Sequence, residues 1–261
     1  MLMKLKLTIL LLCFLASFKT AAQDAKPDKE TKPAAAKQLA ATLPTIDQVL
    51  DKYVQAIGGK AAVLKTTSRL VKGPFEIPAA SLKGTAEIYA KAPDKTLVVF
   101  TIPGFGAIQQ GYNGKIGWSK DPVTGLRELT AVELALVKRS VDFHREIKLQ
   151  EVYKKMTVKE KNKVGDAEVY VVEATPAEGS PETMYFDAQS GLLIRSDFEF
   201  DGPQGKLAIE TYYEDYRETG AIKMPFTERL VHPILGMTRK TDEVKHNVPI
   251  EDSKFDKPKA P

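Results

Sequence analysis

The feature that constrains this chain most is a change of hydrophobic period near Ser68. Before it, apolar residues recur at helical spacing; after it, they recur at every second position along most of the remaining chain. Val71, Gly73, Phe75 and Ile77 alternate with Leu70, Lys72 and Glu76, and Ala86, Ile88 and Ala90 with Thr85, Glu87, Tyr89 and Lys91. Turn formers punctuate these runs at Ala92-Pro93-Asp94, Asn113-Gly114, Gly165-Asp166, Ser190-Gly191, Gly202-Pro203-Gln204-Gly205 and Gly220. Asn113-Gly114 is the clearest hairpin signal, because both central residues of a type I′ turn need positive φ. Short alternating runs joined by turns give an antiparallel sheet. Long helical crossovers are missing between them, which excludes a doubly wound parallel sheet.

Two helical patterns interrupt the strands. Thr45 and Gln48 form a capping box ahead of Ile46, Val49, Leu50, Tyr53 and Ile57, and Gly58-Gly59 ends that helix. Thr130 and Glu133 form a second box ahead of Leu134, Val137 and Val141. Short helical turns are expected at 60–65 and 149–154. The fold class is therefore mainly β (α+β): a strongly curved antiparallel sheet, or open half-barrel, of about eleven strands with a lid of two main helices. A sheet that large tends to curl. Its interior is then either packed solid or left as an apolar cavity.

The N-terminus reads as an address. Lys4 and Lys6 precede an apolar run from Leu7 to Phe18, and Thr20-Ala21-Ala22 supplies small residues for cleavage before Gln23. The run is about 12 residues, where a membrane span needs about 20. Residues 1–22 are expected to be a secretory signal peptide and 23–43 a flexible Ala/Lys/Pro linker. Residues 44–261 are expected to be one β domain with a short C-terminal tail. The single cysteine, Cys13, lies inside the apolar run. The mature chain then has no disulfide, thiol nucleophile or cysteine-bound metal. Export without disulfides points to a bacterial periplasm, with the protein soluble after cleavage.

The formal charge of +4 does not imply a nucleic-acid partner. Of 38 basic and 34 acidic residues, seven and three lie in residues 1–43, so the rest of the chain is balanced. Phosphate binding needs clustered positive charge. Enzyme motifs are missing as well. His144, His232 and His246 form no HExxH or similar ligand pair and read as surface or sheet-edge residues. No serine sits in GxSxG. Gly106 and Gly111 have P-loop spacing, but Tyr112 stands where lysine is required. Glu210 and Glu214, with Tyr212 and Tyr216, read as the solvated face of one strand, opposite Leu207, Ile209 and Tyr213. No cofactor and no metal are expected.

Five segments carry a family likeness: TIDQVLDKYVQAIGGKAA, GYNGKIGW, EVYVVEATP, MYFDAQSGLLIRS and DYRETGAIKMPF. They resemble outer-membrane lipoprotein-sorting-like proteins of the LolA/LolB-like superfamily over about residues 44–250. The resemblance implies an open β-barrel with a helical lid and a hydrophobic cavity for acyl chains. The reading that follows is an exported, non-enzymatic carrier or binding protein for lipid or acylated lipoprotein, working with a membrane-bound donor or acceptor protein. The alternative is a periplasmic protein-interaction module with a filled core. Cavity candidates are Val71, Phe75, Ile88, Ile194, Phe198, Phe200, Leu207, Ile209, Tyr213, Phe226 and Leu230. Tyr53, Ile57, Leu134 and Val137 are the lid candidates. Alternation alone leaves open which sheet face is concave.

Overall fold

In the computed structural model, residues 43–177, 179–202, 205–232 and 236–259 are described. The expected signal peptide and all but the last residue of the expected linker fall outside this range, and so do Pro203 and Gln204 of an expected turn. Four helices occur among the described residues: α1 (Ile46–Ala56), α2 (Lys60–Lys65), α3 (Ala131–Ser140) and α4 (Leu149–Val152). The strands of the first half are β1 (Ser68–Ile77), β2 (Leu82–Lys91), β3 (Lys95–Ile102), β4 (Gly106–Tyr112), β5 (Gly117–Asp121) and β6 (Gly125–Glu128). Those of the second are β7 (Tyr153–Val164), β8 (Ala167–Pro176), β9 (Glu182–Asp187), β10 (Leu193–Gly202), β11 (Gly205–Thr219), β12 (Ile222–Val231), β13 (Met237–Lys240) and β14 (Glu243–His246). All fourteen form one antiparallel sheet in the order β6-β5-β4-β3-β2-β1-β13-β12-β11-β10-β9-β8-β7, with β14 also paired to β1. The count exceeds eleven because the alternating run near the C-terminus breaks into β13 and β14, and because the short β6 adds an edge.

The order of strands explains the curvature. β6 and β7 are consecutive in the chain yet lie at opposite ends of the sheet. Strands spaced about 4.8 Å apart would put them nearly 60 Å apart in a flat sheet. The connecting residues 129–152 include α3 and α4, and helix rises only about 1.5 Å per residue. Even laid straight, that segment falls short of the flat distance. The sheet therefore curls until its two edges come within reach of one crossing segment, and an open half-barrel results.

Both capping boxes form. Thr45 accepts from the Gln48 N–H, and the Gln48 side chain accepts from the Thr45 N–H at 2.9 Å. Thr130 and Glu133 repeat the arrangement, and Arg127 adds a bidentate pair to the Glu133 carboxylate at 2.8 and 2.9 Å. Val49, Leu50 and Tyr53 of α1 and its C-cap Ile57, with Val63 of α2 and Leu149 of α4, pack on Val172, Ala174, Met184, Phe186, Leu193 and Ile222. The register puts Val172, Met184 and Ser196 on one face. That face is the helix-covered, concave one.

Candidate functional site

The register carries the concave face across the sheet. Val71 lies opposite Ile88 and Ile88 opposite Val98; Ala86 lies opposite Phe100 and Phe100 opposite Ile108. Phe75 meets Arg239, Arg239 meets Glu228, and Glu228 meets Tyr213. Phe198 lies between Ile209 and Glu182. Val71, Phe75, Ile88, Phe198, Ile209, Tyr213 and Leu230 therefore share one face. Val71, Phe75 and Ile209 are buried, and the others are half-buried. Phe200 and Leu207 pair with each other through the backbone, and their side chains lie outside the described residues. Ile194 is the extra residue of a β-bulge between Leu193 and Arg195, so Leu193 is the neighbour that enters the helix-packed cluster. Phe226 lies under the Arg217 guanidinium, 4.6 Å from its ring centre. Of the lid candidates, Tyr53 and Ile57 join the α1 cluster. Val137 is buried, and Leu134 packs over Gly117, where an added Cβ would meet its Cδ1 at 3.0 Å.

The concave face is covered unevenly. On the β7–β12 side, α1, α2 and α4 complete a closed cluster. On the β1–β4 side, Phe75, Ile77, Ala86 and Ile102 gather Phe100, Phe105, Ile108, Leu82, Ala80 and Met237; none of these lies in an α-helix, and Ala80 belongs to the short 3-10 turn Pro78–Ala80. Phe100, Ile108, Leu230 and Met237 remain half-buried. An apolar trough thus runs beside the covered cluster.

Polar residues occupy the middle of the bowl. The crossing segment brings in Arg145, which donates to the Tyr153 hydroxyl and lies 3.6 Å from the Glu182 carboxylate. Tyr153 in turn donates to Glu182. Burial works against the Arg145 charge, but Tyr153 and Glu182 outweigh it and hold the guanidinium ionised. Tyr213 is pushed up to about 12 by burial and shares a hydrogen bond with Ser196 at 3.2 Å. Burial raises the Tyr53 and Tyr153 phenols further still. Arg239 pairs with Glu228. Arg69 projects from β1 with its guanidinium 5.2 Å from the centre of the Phe143 ring, and burial weakens its hold on the proton. His144 anchors the segment through its Nε2 to the Thr66 carbonyl at 2.8 Å.

The apolar readings missed this polar centre. Arg69 is two residues before Val71 and in phase with it, so the alternation itself pointed inward. Arg145 and Glu146 carry no such signal, because they lie between helices in a stretch that reads as surface loop. Tyr216 corrects an expectation: plain alternation puts it on the solvated face with Tyr212. Asp215 has φ of 55° and interrupts the alternation; Tyr216 is instead drawn within electrostatic reach of Tyr53 and Tyr213 and donates to the Leu193 carbonyl at 2.7 Å. His246 pairs with the Thr219 hydroxyl at 2.9 Å and lies opposite Arg69, inside the bowl rather than at a sheet edge.

No protein-family model and no curated protein sequence matches the chain. Solved structures do. A DUF1329 family protein from Desulfovibrio piger superposes with a TM-score of 0.58 at 14% identity, covering 81% of this chain and 97% of that one. A LolA superfamily protein from Nitrosomonas europaea gives 0.54 at 16% identity, covering 82% and 99%. An outer-membrane lipoprotein-sorting protein domain from Vibrio parahaemolyticus gives 0.51 at 14%, covering 80% and 97%. The fold is LolA-like: an open, curved antiparallel sheet whose concave face is partly covered by helices. Among the described residues no helix is long and apolar enough to cross a membrane.

Proposed function

We propose that this chain is an exported, non-enzymatic carrier or binding protein whose ligand is a lipid or the acyl chains of a lipoprotein. The observation that carries the reading is the apolar trough: Phe100, Ile108 and Met237, with Leu230 opposite Met237, share the concave face and stay half-buried, and no α-helix contributes to their cluster. A soluble chain that leaves such a surface inside a bowl gains by filling it with hydrocarbon. Each buried CH₂ is worth about 0.8 kcal/mol. The LolA-like fold supports the same reading, since one similar structure is described as a lipoprotein-sorting domain. The signal peptide at 1–22 and delivery to a bacterial periplasm are part of the proposal, as is a membrane-bound donor or acceptor.

Organic extraction of the purified mature protein followed by mass spectrometry tests it. Copurified lipid at near-stoichiometric amount is the expected result. Lipid-free protein that also fails to bind a fluorescent fatty-acyl probe would overturn the carrier reading and leave a protein-interaction module.

A further inference from the structure

The trough cluster reaches one end of the sheet through Ile77, Leu82 and Ile102, where β1 ends, β2 begins and β3 ends. The hairpin tips at that end differ from those at the other. Because the strands are antiparallel, the tips after β1, β3 and β5 lie at one end and those after β2 and β4 at the opposite one. At the trough end they read Pro78-Ala79-Ala80-Ser81, Pro103-Gly104-Phe105 and Pro122-Val123-Thr124, with no charged residue in any of them. The tips at the other end carry Asp94 and Lys115. Those are also tied down: the Pro93 carbonyl accepts from Phe143 at 2.9 Å, and Asn113 donates to Asp256 at 2.9 Å.

The uncharged tips adjoin one another and face open space. A Cβ added at Gly106 would come within 3.0 Å of Pro122, so the second tip touches the third. Ala80 and Phe105 pack on the same cluster, which links the first tip to the second. A Cβ added at Gly104 or Gly125 would meet nothing within 4 Å. Val123 is 62% exposed, the highest value among the exposed large hydrophobic residues. The adjoining carboxylate, Asp121, is buried and accepts from the Val123 and Thr124 N–H groups at 2.8 Å. Behind the tips, Lys83 is paired loosely with Glu76 at 3.8 Å and leaves 83% of its side chain exposed; Lys120 is exposed as well. Apolar points with lysines set behind them match a surface whose hydrocarbon lies beneath anionic phosphates. A folded partner would need a separate pocket for each point, whereas a fluid interface closes around all of them.

We propose that these three tips form a rim that docks on a phospholipid bilayer, with Val123 and Pro103 entering the interface and Phe105 and Ala80 joining it to the trough. The inference rests on the carrier reading and adds where the ligand enters. Acyl chains would pass from the bilayer along the concave face without crossing water.

The test uses the mature chain and vesicles of phosphatidylcholine and phosphatidylglycerol. Cys13 is the single cysteine, so a chain beginning at Gln23 accepts one environment-sensitive dye at Val123→Cys or, at the opposite end, at Lys115→Cys. Vesicles should brighten the dye at 123 and shift its emission to shorter wavelength, and should leave the dye at 115 unchanged. In flotation assays Val123→Asp should weaken vesicle binding roughly tenfold, while a fluorescent fatty-acyl probe presented in solution binds as before. Both positions are exposed, where substitutions seldom disturb the fold. Wild-type protein that stays off vesicles, dyes that respond alike at both ends, or Val123→Asp floating like wild type would each overturn the rim. The carrier reading survives those results if the soluble acyl probe still binds. Vesicle docking by a chain that binds no acyl probe would keep the rim and remove the carrier reading instead.

Discussion

Gly58 fixes the cover of the bowl through a single backbone position. Its φ is 116°, and a Cβ there would approach the Ala221 carbonyl oxygen to 2.2 Å. Next to it, the Ile57 carbonyl accepts from Lys223 at 2.9 Å, so the end of α1 is clamped to the β11–β12 turn. Gly58→Ala should destabilise the fold by more than about 1 kcal/mol, since both the left-handed backbone and the close approach favour glycine. Urea unfolding measures it. Glu133 gives a second test. Burial alone would raise its pKa, but Arg127 and the Thr130 N–H and hydroxyl bring it below the ordinary 4.5. A depressed carboxylate stabilises the fold above its unfolded value and loses that contribution as pH falls through the folded one. Glu133→Gln should therefore flatten the loss of melting temperature below about pH 4.5 relative to wild type, while lowering stability at pH 7. At this scale the sequence was legible where local chemistry decides: Gly58-Gly59 and both capping boxes were readable as helix ends. It was illegible where one backbone angle decides, as at Asp215, whose positive φ moved Tyr216 inward without any glycine to announce it.

Among the elements, the C-terminal segment departs furthest from its expected role as a short tail. It returns across the convex face of β1–β5 as a strap. Phe255 is fully buried against Trp118 and Leu97, and its carbonyl accepts from the Trp118 indole at 2.9 Å. Lys91 and Lys95 grip Asp252 at 2.8 and 2.6 Å, and Lys91 also reaches the Ile250 carbonyl. A shallow depression of about 380 Å³ remains between Tyr89 and the strap residues Pro249, Ile250 and Lys254. Nothing in the local pattern of 249–259 forecasts this, because the strap is held by contacts to residues more than a hundred positions away. Phe255→Ala should cost about 3–5 kcal/mol, as truncation of a buried phenylalanine does. It should also shift the emission of Trp118, the single tryptophan, to longer wavelength as water enters. Acid offers a gentler version. Hydrogen bonds from Lys91 and Lys95 bring Asp252 from 3.8 down to about 2. Their stabilisation is complete above pH 3.8 and is lost as pH falls through about 2. Asp252→Asn should abolish the step in Trp118 emission over that window.

At the scale of the whole molecule, one curved sheet presents a concave face in two parts, one packed under helices and one not. Its crossing connection from β6 to β7 forces the curl, and the curl creates one concave face that the helices are too few to cover. The alternation of Val71, Phe75, Ile88 and Ile209 made the face legible in the sequence, but coverage depends on where α1 lands, which no local pattern records. The two sides should respond to mutation in opposite ways. Met184 is fully buried beneath α1, so Met184→Ala should cost about 2–5 kcal/mol, the usual penalty for emptying a packed core site. Once allowance is made for unfolded protein, acyl-probe affinity should be unchanged. Ile108 lies opposite Phe100 in the uncovered trough and is half-buried. Ile108→Asp puts a carboxylate where water already has access, so its melting temperature should fall by only a few degrees. In a loaded carrier the same carboxylate would have to lie against hydrocarbon, which is far costlier than leaving it in water. Probe affinity should drop at least tenfold. Parallel melts and fluorescence titrations of the two variants decide the matter. If Ile108→Asp instead unfolds the protein, the β1–β4 side is packed core and the trough has no capacity for a ligand.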